Sequence, residues 1–172
     1  MINVRDAYMR PLQMIYIMKK KTNQKRIKVI GLGNPLVGDD SVGVAVIKKL
    51  KQKSLPEDVE VVDVGCDPLA ILEHLNCKKV IVVDAVKMGK KAGAVIKFTP
   101  DDVDIIDDSK NFSLHGIGLG YALKLARKFN KEIDVKIVGI EPFDIKVGSD
   151  ISEKVLRVIP KAVSSVLEEI KK

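Results

Sequence analysis

Tryptophan is absent from the 172 residues, and three tyrosines with four phenylalanines hold the aromatic content to 4%. Any core must therefore be aliphatic, and the Ile/Val/Lys/Glu-rich body leans toward a heat-adapted source. Cysteine occurs twice, as Cys66 and Cys77, with no Cys-x-x-Cys spacing. That excludes a disulfide framework and points to the reducing cytoplasm. No Gly-x-Ser-x-Gly occurs, so a serine hydrolase on this chain would lack its nucleophile elbow. The apolar stretch Leu12–Met18 is too short to span a bilayer, is flanked by charge, and precedes no small-residue cleavage site. Neither a membrane span nor a signal peptide is expected.

What is present is ordinary globular material, 46% hydrophobic and 31% charged, at the length of one domain with a full core. The net charge of +7 is confined to one end. Residues 1–28 carry eight basic side chains and one acid, Asp6, while the remainder holds 22 of each sign. A neutral body offers no track for nucleic acid. Residues 1–25 read as a basic leader, either a flexible arm or the product of a start assigned upstream of the true one, since Met9, Met14 and Met18 follow. Residues 26–172 read as one α/β domain.

The chain is organised around IKVIGLGNPLVGDDSVGVAVI, residues 27–47. An apolar strand meets Gly31 and Gly33, turns at Asn34 and Pro35, and enters a helix after Asp39 and Asp40. The turn is similar to the opening of a dinucleotide fold, but Leu36 stands in place of the third glycine, Pro35 lacks an N–H, and two carboxylates would repel a pyrophosphate. Two readings of the pair remain open. Both aspartates cap the helix start, or one caps while the other points outward to bind a cation.

Further along, Ser41–Leu50 reads as a helix, Val59–Val64 as a strand and Pro68–Leu75 as a short helix. Lys79–Asp84 (KVIVVD) is a continuous β-branched run, the mark of a central parallel strand covered on both faces. Ala94–Phe98 reads as a short edge strand, and residues 99–112 as a long acidic loop. A helix over Ser113–Phe129, a strand over Glu132–Ile140 and a final helix capped by Ser152 and kinked at Pro160 complete the order. This alternation predicts a three-layer α/β/α fold with an open, mainly parallel sheet of about five strands.

In such a sheet, ligands bind beyond the carboxyl ends of the strands, where strand order reverses. Asp40, Asp84 and His115 stand at such ends, and the prediction is that they converge. Two carboxylates and an imidazole with open positions suit a divalent metal completed by water or substrate. Each also has a plainer reading: Asp84 holds the turn AVKMG, His115 caps a helix or sits in the core, and Asp39 and Asp40 are caps. Cys66 could pair with His115 as nucleophile and base, though a buried structural thiol is the expectation. His74 is expected at the surface.

GLGNPLVGDDSVG, VVDVGCDPLAIL, VIVVDAVKMGKKAGAVIKF, SLHGIGL and VGIEP, in that order, resemble the hydrogenase maturation endopeptidases, from about Ile27 to the end. Ser41, Val64 and Cys66 depart from the family pattern, and the leader is extra. The resemblance implies a protease, of aspartyl type, that removes the C-terminal extension of a nickel-iron hydrogenase large-subunit precursor. Asp40, Asp84 and His115 would then contact nickel already installed in the precursor, with Asp40 and Asp84 catalytic and no tightly bound metal of the enzyme's own. The expected partner is that precursor, with no nucleic acid and no membrane, the enzyme acting as a cytoplasmic monomer. One alternative is a metal-handling or precursor-binding module without proteolysis. A distant one is a peptidyl-tRNA hydrolase, which also opens with GLGNP but continues with a Thr-Arg-His-Asn segment lacking here.

Overall fold

The computed structural model describes residues 26–103, 119, 122, 128 and 133–172. Strand β1 (Ile27–Gly31) leads through one tight turn of 3₁₀ helix, Gly38–Ser41, into α1 (Val42–Leu50). Then come β2 (Val59–Asp63), a 3₁₀ segment Pro68–His74, β3 (Lys79–Ala85), β4 (Val95–Phe98) and a single helical turn α2 (Pro100–Val103). After β5 (Asp134–Ile140) the chain closes with α3 (Glu153–Leu156) and α4 (Ile159–Ile170).

The five strands lie in the order β2-β1-β3-β5-β4, all parallel except β4, which runs antiparallel on β5 at the edge. The apolar run 79–84 is indeed the central strand, and all seven residues of β3 are buried. Alternation explains how one strand serves two faces. Ile81, Val83 and Ala85 pack with Val46, Ile47, Val163 and Val166 of α1 and α4. Val80 and Val82 face the other way, onto Ile71, Leu75 and Leu119. Strand order reverses between β1 and β3, because β2 lies on one side of that pair and β5 and β4 on the other. The predicted α/β fold is therefore the observed one.

Some local expectations change. The final helix is two helices, α3 and α4, and Pro160 occupies the first turn of the second, where its missing N–H costs nothing. Ser152 caps α3 as expected, accepting from Val155 N at 3.4 Å. The acidic loop opens with a formed turn, since Thr99 N and Oγ1 both donate to Asp102 Oδ2 at 2.6 and 2.7 Å. Leu119, Ala122 and Lys128 are helical, as the reading of 113–129 required. The leader (residues 1–25), residues 104–112 of the acidic loop, and His115 lie outside the described residues.

Candidate active site

The site is built where β1 and β3 end side by side. Gly31 pairs with Val83, and Leu32 N donates to Val83 O at 2.9 Å, so the turn after β1 starts one residue short of Asp84. The 3₁₀ turn carrying Asp40 is then pressed down onto this edge, which two glycines permit. A Cβ on Gly33, where φ is +149°, would strike the Asp40 carbonyl. A Cβ on Gly43 would meet the Leu32 carbonyl and lie 2.5 Å from Val83 O. The Gly-x-Gly signature thus serves a close approach of helix start to strand ends rather than a pyrophosphate.

Asp40 and Asp84 are both buried, at 6% and 0% exposure, and stand at the carboxyl ends of adjacent parallel strands at the reversal point. Asp40 Oδ2 accepts from Asn34 N at 2.8 Å, and Asn34 Oδ1 accepts from Leu36 N at 3.0 Å, which fixes the loop between β1 and the turn. Buried carboxylates are costly unless hydrogen-bonded, and two of them around neighbouring strand ends are candidates for chemistry.

Asp39 has a different role. Fully buried, it accepts at Oδ2 from Phe143 N (2.8 Å), Asp144 N (2.9 Å) and Ser152 Oγ (2.9 Å), and at Oδ1 from Ser152 N (2.7 Å). The helix that follows has Ser41 at its N-cap position with no side-chain cap bond, so helix capping is not what the acidic pair does. One aspartate anchors a distant loop, and the other holds the loop just before it through Asn34 N.

A residue the sequence reading passed over is Glu141. It follows β5 as Asp84 closes β3, an apolar strand ending in a carboxylate, and that shared pattern could have revealed it. Buried at 7% exposure, its Oε2 accepts from Met88 N (2.7 Å) and Lys90 N (3.1 Å). Glu141 thus orders the turn after Asp84.

One thiol departs from its expected place. Cys66, taken as a buried structural thiol, is exposed in the loop after β2, whereas Cys77 is buried. Burial pushes the Cys77 thiol up to about 11, against the partial relief of nearby Lys28 and backbone hydrogen bonds, so it is held protonated and unreactive. His74, expected at the surface, is half-buried. Among the described residues no three acidic, imidazole or thiol groups come together as a metal set, and the third member of the expected triad, His115, is not among them. No described helix is long and apolar enough to cross a membrane.

Fold and site together define an α/β protein with two buried aspartates around the switch point of a mainly parallel sheet. Comparison with known proteins narrows this. The hydrogenase maturation protease profile (HycI) matches residues 44–169. A protein of Methanocaldococcus jannaschii, provisionally named a hydrogenase maturation protease, is 37% identical over 90% of this chain and all of its own length. The hydrogenase 2 maturation protease of Escherichia coli is 30% identical over 85% of this chain and 91% of its own. Among solved structures, the E. coli hydrogenase maturating endopeptidase HybD superposes with a TM-score of 0.71 at 28% identity, over 85% of this chain and 92% of that one. The chain belongs to the hydrogenase maturation protease family and is a hydrolase of peptide bonds.

Proposed function

We propose that this protein removes the C-terminal extension of a nickel-iron hydrogenase large-subunit precursor once nickel is in place, and that Asp40, Asp84 and His115 recognise that nickel. The observation that carries the reading is the burial of Asp40 and Asp84 around neighbouring strand ends. The turn that carries Asp40 packs near β3, which Asp84 helps to close, at the point where this fold class binds ligands.

Oxygen donors with one imidazole form a weak set on their own, and the precursor's thiolates would supply the firm ligands. The metal then belongs to the substrate, and only a loaded precursor completes the site. In hydrolysis, a water adds its hydroxyl to the scissile carbonyl carbon and its proton ends on the departing amine. A carboxylate can take the water's proton, and the substrate nickel can polarise the carbonyl. Family membership supports the proteolytic step. The charge and residue types of the site support the metal-dependent one.

The test is processing of a nickel-loaded precursor by Asp40→Asn and Asp84→Asn, read by mass spectrometry of the C-terminus. Each variant loses at least about a hundredfold in rate, the scale of a lost acid–base group, while its melting temperature stays near that of the parent. Wild-type processing by both variants overturns the proposed roles.

A further inference from the structure

Five large apolar side chains are exposed among the described residues: Leu36, Leu69, Phe143, Val147 and Leu156. Scattered singly, such residues are unremarkable on a protein surface. Three of these five, Leu36, Phe143 and Val147, however, lie on loops after β1 and β5, at the carboxyl ends of those strands. Leu36 and Val147 are the most open, at 70% and 76%.

These side chains stand on a braced platform. Val37 and Val147 form an antiparallel bridge, Gly148 N donates to Leu36 O at 2.7 Å, and Gly38 N donates to Ser149 O at 3.0 Å. Asp39 ties the same two loops together from below, through its bonds to Phe143 N, Asp144 N and Ser152. Lys154 Nζ sits 3.4 Å from the centroid of the Phe143 ring, which holds that ring in place. The platform is continuous with the site, because Asp40 N donates to Val37 O at 2.9 Å and Asp40 Oδ2 accepts from Asn34 N in the same loop.

We infer that Leu36, Phe143 and Val147 form a pre-built apolar shelf that docks the folded body of the substrate precursor beside the bond to be cut. The inference rests on the function proposed above, in which the substrate is a whole protein. A protein whose scissile bond reaches Asp40 must cover the loop that carries Asp40, so the shelf cannot stay in water when substrate is bound. Three exposed apolar side chains there gain by being covered. The loops already carry their hydrogen bonds, so little ordering cost opposes docking. The occupant is an apolar patch on the precursor next to its C-terminal extension.

The test compares Val147→Glu and Leu36→Glu with Leu156→Glu, which changes an equally apolar exposed residue in the groove lined by Lys49 and Lys53. With nickel-loaded precursor, the two shelf variants raise KM by about tenfold or more, the scale of losing one interface anchor, and the loss lies in KM rather than kcat. Leu156→Glu matches the parent. Binding of uncut precursor, measured in parallel, separates the two readings. If the parent chain binds without cutting and the shelf variants bind about tenfold more weakly, the shelf stands and the proteolytic role falls. Equal KM and equal binding in all variants overturns the shelf. So does a fall in kcat alone, or loss of self-association in the variants with KM unchanged.

Discussion

Asp39 and Asp40 are neighbours with identical side chains and opposite uses. Asp39 satisfies three backbone N–H groups and one hydroxyl across 104 to 113 residues of sequence. Asp39→Ala would leave those partly buried donors unpaired, at about 1–3 kcal/mol for each group that finds no water. We expect it to lower unfolding free energy by about 3 kcal/mol or more in urea titration, and a variant as stable as the parent would refute the anchoring role. No local pattern distinguishes the two aspartates, because what separates them is a loop a hundred residues away. Asp84 was easier to single out, since it ends an apolar strand, and Glu141 obeys the same rule. Cys66 misled for a related reason: it sits between Gly65 and Asp67 in a turn, while the short apolar segment around Leu75 carries the other thiol, Cys77, into the core.

At the scale of elements, period and composition specify much. β3 shows as a central strand because both its faces are covered and every position is apolar or ends the strand. The helix after Asp40 and the short edge strand β4 were equally readable, but the antiparallel direction of β4 was not. The break between α3 and α4 was not, since Pro160 is compatible with a kink or with a fresh first turn, and packing on the sheet selects the second. The end of α4 is fixed by charge. Glu169, 3% exposed, accepts from Lys172 Nζ at 2.8 Å and pairs with Lys97 at 3.2 Å, and its main-chain carbonyl accepts from Lys79 Nζ at 2.8 Å. Burial alone would raise its carboxyl, but the bonds from Lys172 and Lys97 outweigh it and hold the group below its usual 4.5. A carboxyl depressed on folding contributes stability above its unfolded value and loses it as pH falls through the folded one. Stability should therefore drop as pH falls below about 4.5. Glu169→Gln should be less stable than the parent at neutral pH and flatter below about 4.5 in urea midpoints. A parallel pH profile in the variant would contradict this.

For the whole molecule, strand order is what makes the site. The chain lays β2 outside β1, crosses back to β3 and continues to β5, and this reversal brings the turn that carries Asp40 near β3, which holds Asp84, 44 positions on in sequence. That the ends of β1 and β3 would be neighbours could be anticipated from the general behaviour of parallel sheets. The shelf beside them could not, because its parts come from loops after β1 and β5 that meet only once the sheet is formed. The central claim is that the enzyme cuts only a precursor already holding nickel. The most direct measurement is an anaerobic cleavage assay on the host's large-subunit precursors, with and without nickel loading, followed by mass spectrometry of the C-terminus. The account predicts truncation of the loaded precursor alone. Equal truncation of the nickel-free form, or an intact C-terminus on every loaded precursor, would contradict it.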